Sequence, residues 1–208
     1  MALTAKAPRR RLNPVERRTL ILEEALRLFA ERHYSVVSVR DIALACDINV
    51  GLIYHYFESK DDLVRCALEY AIGQLMAGYA ARRPTLEDAR AEIGAWLDTH
   101  ITIAPMLTRM VKLMSDYASS GVRTREIDAQ LAGFYDGERA LLEAALARGV
   151  ARGEFRSLDV ARTARRIGLM LDGIFYASES RGDDRIVEDI RDLADFLDET
   201  LRPVPPAG

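Results

Sequence analysis

The chain has 208 residues, 49% hydrophobic and 29% charged, with a formal net charge of -3. At roughly 150 residues per domain this is one large or two small domains, and the ordinary globular balance excludes disorder over most of the chain. Cys46 and Cys66, the two cysteines, make no disulfide framework and suit a reducing cytoplasm. No apolar run approaches the roughly 18 residues of a membrane span; the densest, Ile167–Ala177, is broken by Asp172. The basic start lacks an apolar segment behind it and is not expected to direct secretion.

The net charge conceals a split. Residues 1–60 hold ten Lys and Arg against seven Asp and Glu, and the remainder holds 19 against 25. Lys6, Arg9, Arg10 and Arg11 lie ahead of the first helix. A basic head on an acidic body suits a polyanion met by the head alone, although a solvated tail gives the same charge pattern. If it is an arm along phosphates or a minor groove, deleting residues 1–11 is expected to raise the dissociation constant for duplex DNA several-fold, more at low salt, without altering assembly. Unchanged affinity across a salt titration would mark an ordinary tail.

Asn13-Pro14 reads as an N-cap and first helical residue. Leu20, Ile21, Ala25, Leu28, Phe29 and Ala30 then trace one helical face ending near His33, whose ring is expected to meet the free carbonyls. Ser38-Val-Arg-Asp41 has capping-box spacing and opens a short helix with Ile42, Ala43 and Cys46 on its apolar side. Asp47-Ile48 breaks it, and Asn49 caps a second short helix over 50–57. Ser59-Lys-Asp-Asp62 is another box, starting a longer helix through Leu63, Leu68 and Leu75. Helical patterns follow over 85–103, 105–119, 124–151, 159–181 and 184–201. Breaks fall at Arg82-Arg83-Pro84-Thr85, Pro105, Ser119-Ser120-Gly121, Gly153 and Gly182. No segment alternates in the manner of a strand, so the chain reads as all-α, with about nine helices.

Two short helices across a tight break are the pattern of a helix-turn-helix, or of two plain connecting helices. The first reading needs a small residue before the turn, one tolerant of left-handed backbone, and a cap on the second helix. Cys46, Asp47 and Asn49 meet these needs in order. Val50, Gly51, Leu52 and His55 would then face a major groove, with Tyr54, Tyr56 and Lys60 toward phosphates. The cysteines read as inert core residues. His33, His55 and His100 are too scattered for a metal, and neither a phosphate loop nor a nucleophile elbow occurs. Acid pairs such as Asp61-Asp62 sit at helix starts, where the dipole favours them. No enzyme, metal or cofactor is expected.

The stretch from Ile21 to Leu68 resembles the N-terminal domain of the TetR family of transcriptional regulators. The resemblance rests on Ile21–Ala30, the run Val39–Leu63, and the series Tyr54, Phe57, Lys60 and Leu63. It covers about a quarter of the chain strongly, and the rest agrees in length, helicity and the form of its last two helices. Five positions depart from the family pattern: His33, Cys46, Asp47, Asn49 and Leu52. Leu52 favours contact with a thymine methyl over a polar base contact.

The resemblance implies a homodimer on a palindromic double-stranded operator. By position it puts Val50, Gly51, Leu52 and His55 at bases, Tyr54, Tyr56 and Lys60 at phosphates, and Arg40 at a base or the backbone, beside the cap Asn49. It implies a basic arm and DNA-binding domain over 1–60, a regulatory and dimerisation domain over 61–203, and a tail over 204–208. A small-molecule effector pocket would be lined by Trp96, Met106, Met110, Met114, Tyr117, Phe134, Tyr135 and Met170, residues that plain core packing also explains. Arg109 and Lys112 would meet an anionic effector or simply water. Helix 159–181, apolar nearly all round, and the stripe Ile186, Ile190, Leu193, Leu197 and Leu201 point to a four-helix seam holding Ile167, Leu171, Ile174, Ile190, Leu193 and Leu197. A buried helix in a monomer is the other reading. The expected function is a ligand-released repressor. The alternative is a helical ligand-binding or adaptor protein that keeps the fold without operator binding.

Overall fold

The computed structural model describes residues 12–82, 88–121, 123–182 and 184–203. The basic arm with Lys6, Arg9, Arg10 and Arg11, the joint at Arg83-Pro84-Thr85 and the tail 204–208 lie outside the described residues. The described residues form nine helices and no strand: α1 (Pro14–Glu31), α2 (Val39–Ala45), α3 (Val50–Tyr56), α4 (Lys60–Arg82), α5 (Ala89–Thr102), α6 (Ala104–Ser119), α7 (Arg125–Ala151), α8 (Val160–Arg181) and α9 (Ile186–Leu201). Among them no helix is long and apolar enough to cross a membrane.

Local chemistry sets the boundaries. Asn13 Oδ1 accepts from the Glu16 N–H at 2.9 Å, and the Glu16 carboxylate accepts from the Asn13 N–H at 2.9 Å, a reciprocal cap around Pro14. Thr124 and Asp159 cap α7 and α8 from one side only, each side chain accepting a backbone N–H of the first turn. Pro105 sits in the first turn of α6, where its missing N–H costs nothing. Gly182, at φ 67°, ends α8 in the left-handed region. His33 corrects the expectation made for it: its ring does not cap α1 but meets Ser35, with Nδ1 2.8 Å from Oγ, and approaches Asp116 of α6 at 3.9 Å.

α1 packs against α2, α4 and α6, so it ties the N-terminal helices to the larger body. Ile21, Leu22, Phe29, Ile42, Ile53, Phe57 and Leu63 are buried in the N-terminal core. Each such side chain contributes roughly 1.5–3 kcal/mol by leaving water. In the body, α8 packs on α6, α7 and α9, and α5 packs on α7 and α9.

The inward faces of α8 and α9 correct the expected dimer seam. Ala164, Ile167, Leu171, Phe175 and Ser178 follow one another at three- and four-residue spacing and are buried within the protomer. So are Ile186, Ile190, Leu193, Leu197 and Leu201 of α9. Ile167, Leu171, Ile190, Leu193 and Leu197 are therefore core of their own chain, and only Ile174 of the expected set is part-exposed. The apolar surface lies on the other faces: Leu169, Met170 and Tyr176 of α8 and Phe196 of α9 are exposed. Of these, Met170 and Phe196 line one cleft between α8 and α9.

Candidate nucleic-acid interface and effector cavity

The turn between α2 and α3 is a helix stop of defined chemistry. Ser38 Oγ accepts from the Asp41 N–H at 3.2 Å, and the Asp41 carboxylate accepts from the Ser38 hydroxyl at 2.6 Å and from the Ser38 N–H at 2.8 Å, two bonds that hold that carboxyl below its ordinary pKa. At the other end of α2 the Asp47 N–H reaches the Leu44 carbonyl at 3.1 Å and the Ile48 N–H reaches Ala43 at 3.0 Å. These two bonds, with Asp47 at φ 52°, make a Schellman stop with an aspartate where glycine is usual. Asn49 Oδ1 then accepts from the Leu52 N–H at 2.8 Å and starts α3. Ile42, Ala43 and Ile53 are buried between the helices, with Ile48 packed beside them.

This core leaves one side of α3 free. Arg40, Asn49, Gly51, Tyr54 and His55 are exposed; Val50, Leu52 and Tyr56 are half-buried. Val50 and Tyr56 pack partly against the core. Gly51 has a local reason: a Cβ there would press to 3.3 Å from the capping Asn49 Oδ1. Burial pushes both cysteine thiols up, Cys46 to about 11, so neither is a ready thiolate.

Lys60 has work within the protein. Its ammonium donates to the Tyr34 carbonyl at 2.6 Å and to Ser35 at 3.4 Å, and lies 4.6 Å from the centre of the Tyr34 ring. Its half-buried site lowers its pKa, chiefly by desolvation. The Tyr34 hydroxyl donates to Asp61 at 3.3 Å, and its N–H donates to Asp116 of α6 at 3.2 Å. Tyr34 thus joins the start of α4 to α6, a role no local pattern announced.

The expected pocket residues separate. A tight cavity, with about 20 Å³ of clear space, is lined by His100 of α5, by Leu107, Met110, Val111 and Met114 of α6, by Phe134, Tyr135 and Glu138 of α7, and by Leu171, Asp172 and Phe175 of α8. Met110, Met114, Phe134 and Tyr135 are where the sequence put them. Trp96, Met106, Tyr117 and Met170 are not in this lining. Trp96 packs edge-on against His100 at 4.4 Å, and Met106 packs against the core. The Tyr117 hydroxyl bonds to Thr124 and Asp128, and Met170 faces outward. The polar end was missed. His100 is buried, with Nδ1 2.9 Å from the Trp96 carbonyl and Nε2 3.3 Å from the Glu138 carboxylate. Burial, with Glu138 nearby, raises Asp172 to about 6 against the opposing influence of His100. Lys112 is paired to Glu179 at 2.7 Å.

Residues 21–66 match the family of bacterial regulatory proteins of the tetR type. The transcriptional repressor KstR2 of Rhodococcus jostii is 32% identical over 141 residues, 68% of this chain and 69% of its own. The HTH-type regulator YuxN of Bacillus subtilis is 46% identical over 55 residues; the match spans 26% of this chain and only 19% of that relative's length. Among solved structures, the TetR family regulator PfmR of Thermus thermophilus superposes with a TM-score of 0.74 at 27% identity, over 88% of this chain and 98% of its own. A regulator of Saccharomonospora viridis, solved in complex with choline, gives 0.79 at 23% identity, over 91% and 100%. The capped turn, the free side of α3 and these matches together make the chain a member of the TetR family of transcriptional regulators, a DNA-binding protein of the helix-turn-helix kind.

Proposed function

We propose that the chain is a dimeric repressor that grips a palindromic operator through α3 and is released by a small molecule bound among α5 to α8. The observation that carries this is the free side of α3, held on a fully capped turn over a buried core. In this reading Val50, Gly51, Leu52 and His55 meet base edges, and Arg40, Tyr54, Tyr56 and Lys60 meet the backbone. An ammonium has three donors, and the two carbonyls at Lys60 leave one for a phosphate. Leu169, Met170, Tyr176 and Phe196 supply the partner surface, flanked by Ile174. A stable dimer needs on the order of 1,500 Å² of such contact.

Selection of duplexes from a random pool, followed by footprinting, tests the reading. The expected product is an inverted repeat with half-sites about one helical turn, or a multiple of it, apart. Leu52→Ala should then lower discrimination at one base pair of each half-site by about 1–3 kcal/mol, with non-specific binding nearly unchanged. A pool that never enriches, with binding only to bulk DNA, would favour the adaptor alternative.

A further inference from the structure

We propose that the cavity among α5, α6, α7 and α8 selects an organic cation, an amine with a compact apolar body whose head is held by the Asp172 and Glu138 carboxylates. This rests on the effector reading above and adds the charge of the effector to it.

The cavity has two unlike kinds of lining. α6 contributes apolar side chains alone, Met110 and Met114 among them, and Phe134 and Phe175 add aromatic ones. Such a wall suits an aliphatic or aromatic body. Glu138 and Asp172 complete the lining, and these two, with Tyr135 and Leu171, also line the neighbouring cleft between α7 and α8, where Arg139, paired to Asp136 at 2.9 Å, and Arg165 stand beside them. Within the cavity itself a ligand meets two carboxylates and neither a lysine nor an arginine. Their charges are unequally compensated. Glu138 has His100 at 3.3 Å. Asp172 forms no ion pair among the described residues, and its surroundings disfavour its charge by burial and by Glu138. Near neutral pH that leaves a partly desolvated anion facing the cavity, which a cation relieves and a ligand carboxylate would aggravate. Burial, and after it the nearby Asp172, raises the pKa values of Tyr135 and Tyr176, so both hydroxyls stay protonated and add no charge. The clear space at the centre of the cavity is about 20 Å³, room for one water, so the apolar wall must part for any body larger than that. Unbranched methionines on α6 can swing to allow it.

The chain's one tryptophan is a built-in reporter, because Trp96 sits against His100. The experiment titrates the full-length protein with matched compounds differing only in the head: hexylamine, hexanol and hexanoate, then phenethylamine, phenethyl alcohol and phenylpropionate. The readouts are Trp96 emission and the melting temperature. The amines should bind at least about tenfold more tightly than the alcohols, with the carboxylates weakest. Asp172→Asn, nearly isosteric, should bring the amine down to the alcohol's affinity and leave the alcohol's unchanged. Glu138→Gln should narrow the gap in the same direction. Alcohols or carboxylates that equal the amines, an amine preference that survives both substitutions, or amines that leave Trp96 and the melting temperature unmoved each overturn the proposal. The effector reading is judged separately, on the selected duplex. If saturating amine leaves the duplex bound, the cation site stands and the effector reading fails. If a neutral compound releases the duplex, the effector reading stands and the cation proposal fails.

Discussion

Phe196→Asp and Met170→Asp should each yield a folded monomer that has lost tight operator binding, whereas Leu197→Asp should not fold well enough to be assayed. The contrast comes from neighbouring residues facing opposite ways. Phe196 is 46% exposed and Met170 42%, so in the free protomer a carboxylate at either place stays in water and costs the fold little. At the centre of a two-fold seam the same carboxylate is met by its own copy and by apolar walls, so the penalty of several kcal/mol is incurred twice. Leu197 is 5% exposed inside the protomer. An aspartate there is an unpaired buried charge, costing about 3–5 kcal/mol from a total stability of about 5–15 kcal/mol. Loss of the second half-site should weaken binding to the selected duplex by about 10²–10⁴-fold. Sedimentation reads the mass, circular dichroism the helix content, and gel shift the affinity. A Phe196→Asp protein that still sediments as a dimer would put the seam on another surface.

The same pair of residues shows what the sequence could and could not reveal. Helical periodicity states which residues share a face. It does not state whether that face meets its own core or a second chain. α8 has apolar residues on both, and the stripe on α9 is as regular as a seam would be. The capped turn was legible because its decisions are local: Ser38, Asp47 and Asn49 each act on backbone within five residues. The apolar half of the cavity was legible for the same reason, Met110 and Met114 being one turn apart on α6. Its polar half was not, because His100, Glu138 and Asp172 come from three helices and meet only in the packed structure. Lys60 fell between these cases. Its charge marked it for phosphate, but the carbonyl it already serves lies 26 residues upstream.

That double engagement makes Lys60→Met the most informative change at the DNA face. Methionine keeps a stem to lie over the Tyr34 ring and removes the charge. The Tyr34 carbonyl loses a charge-assisted donor, so stability should fall by about 1.5–3 kcal/mol. For a chain of this size that lowers the melting temperature by about 2–4 °C per kcal/mol. If the third ammonium donor also reaches a phosphate, specific and non-specific DNA should weaken together, and the slope of log affinity against log salt should drop by about one unit. Stability and DNA contact are thereby confounded in a single number but not in the slope. Asp116→Asn separates them. It weakens the acceptor of the Tyr34 N–H from the α6 side without removing a cation from the DNA face. It should therefore cost stability and leave the salt slope where it was. Lys60→Met with a lowered melting temperature and an unchanged slope would make Lys60 a strut for the Tyr34 turn, and the phosphate grip would then fall to Arg40, Tyr54 and Tyr56.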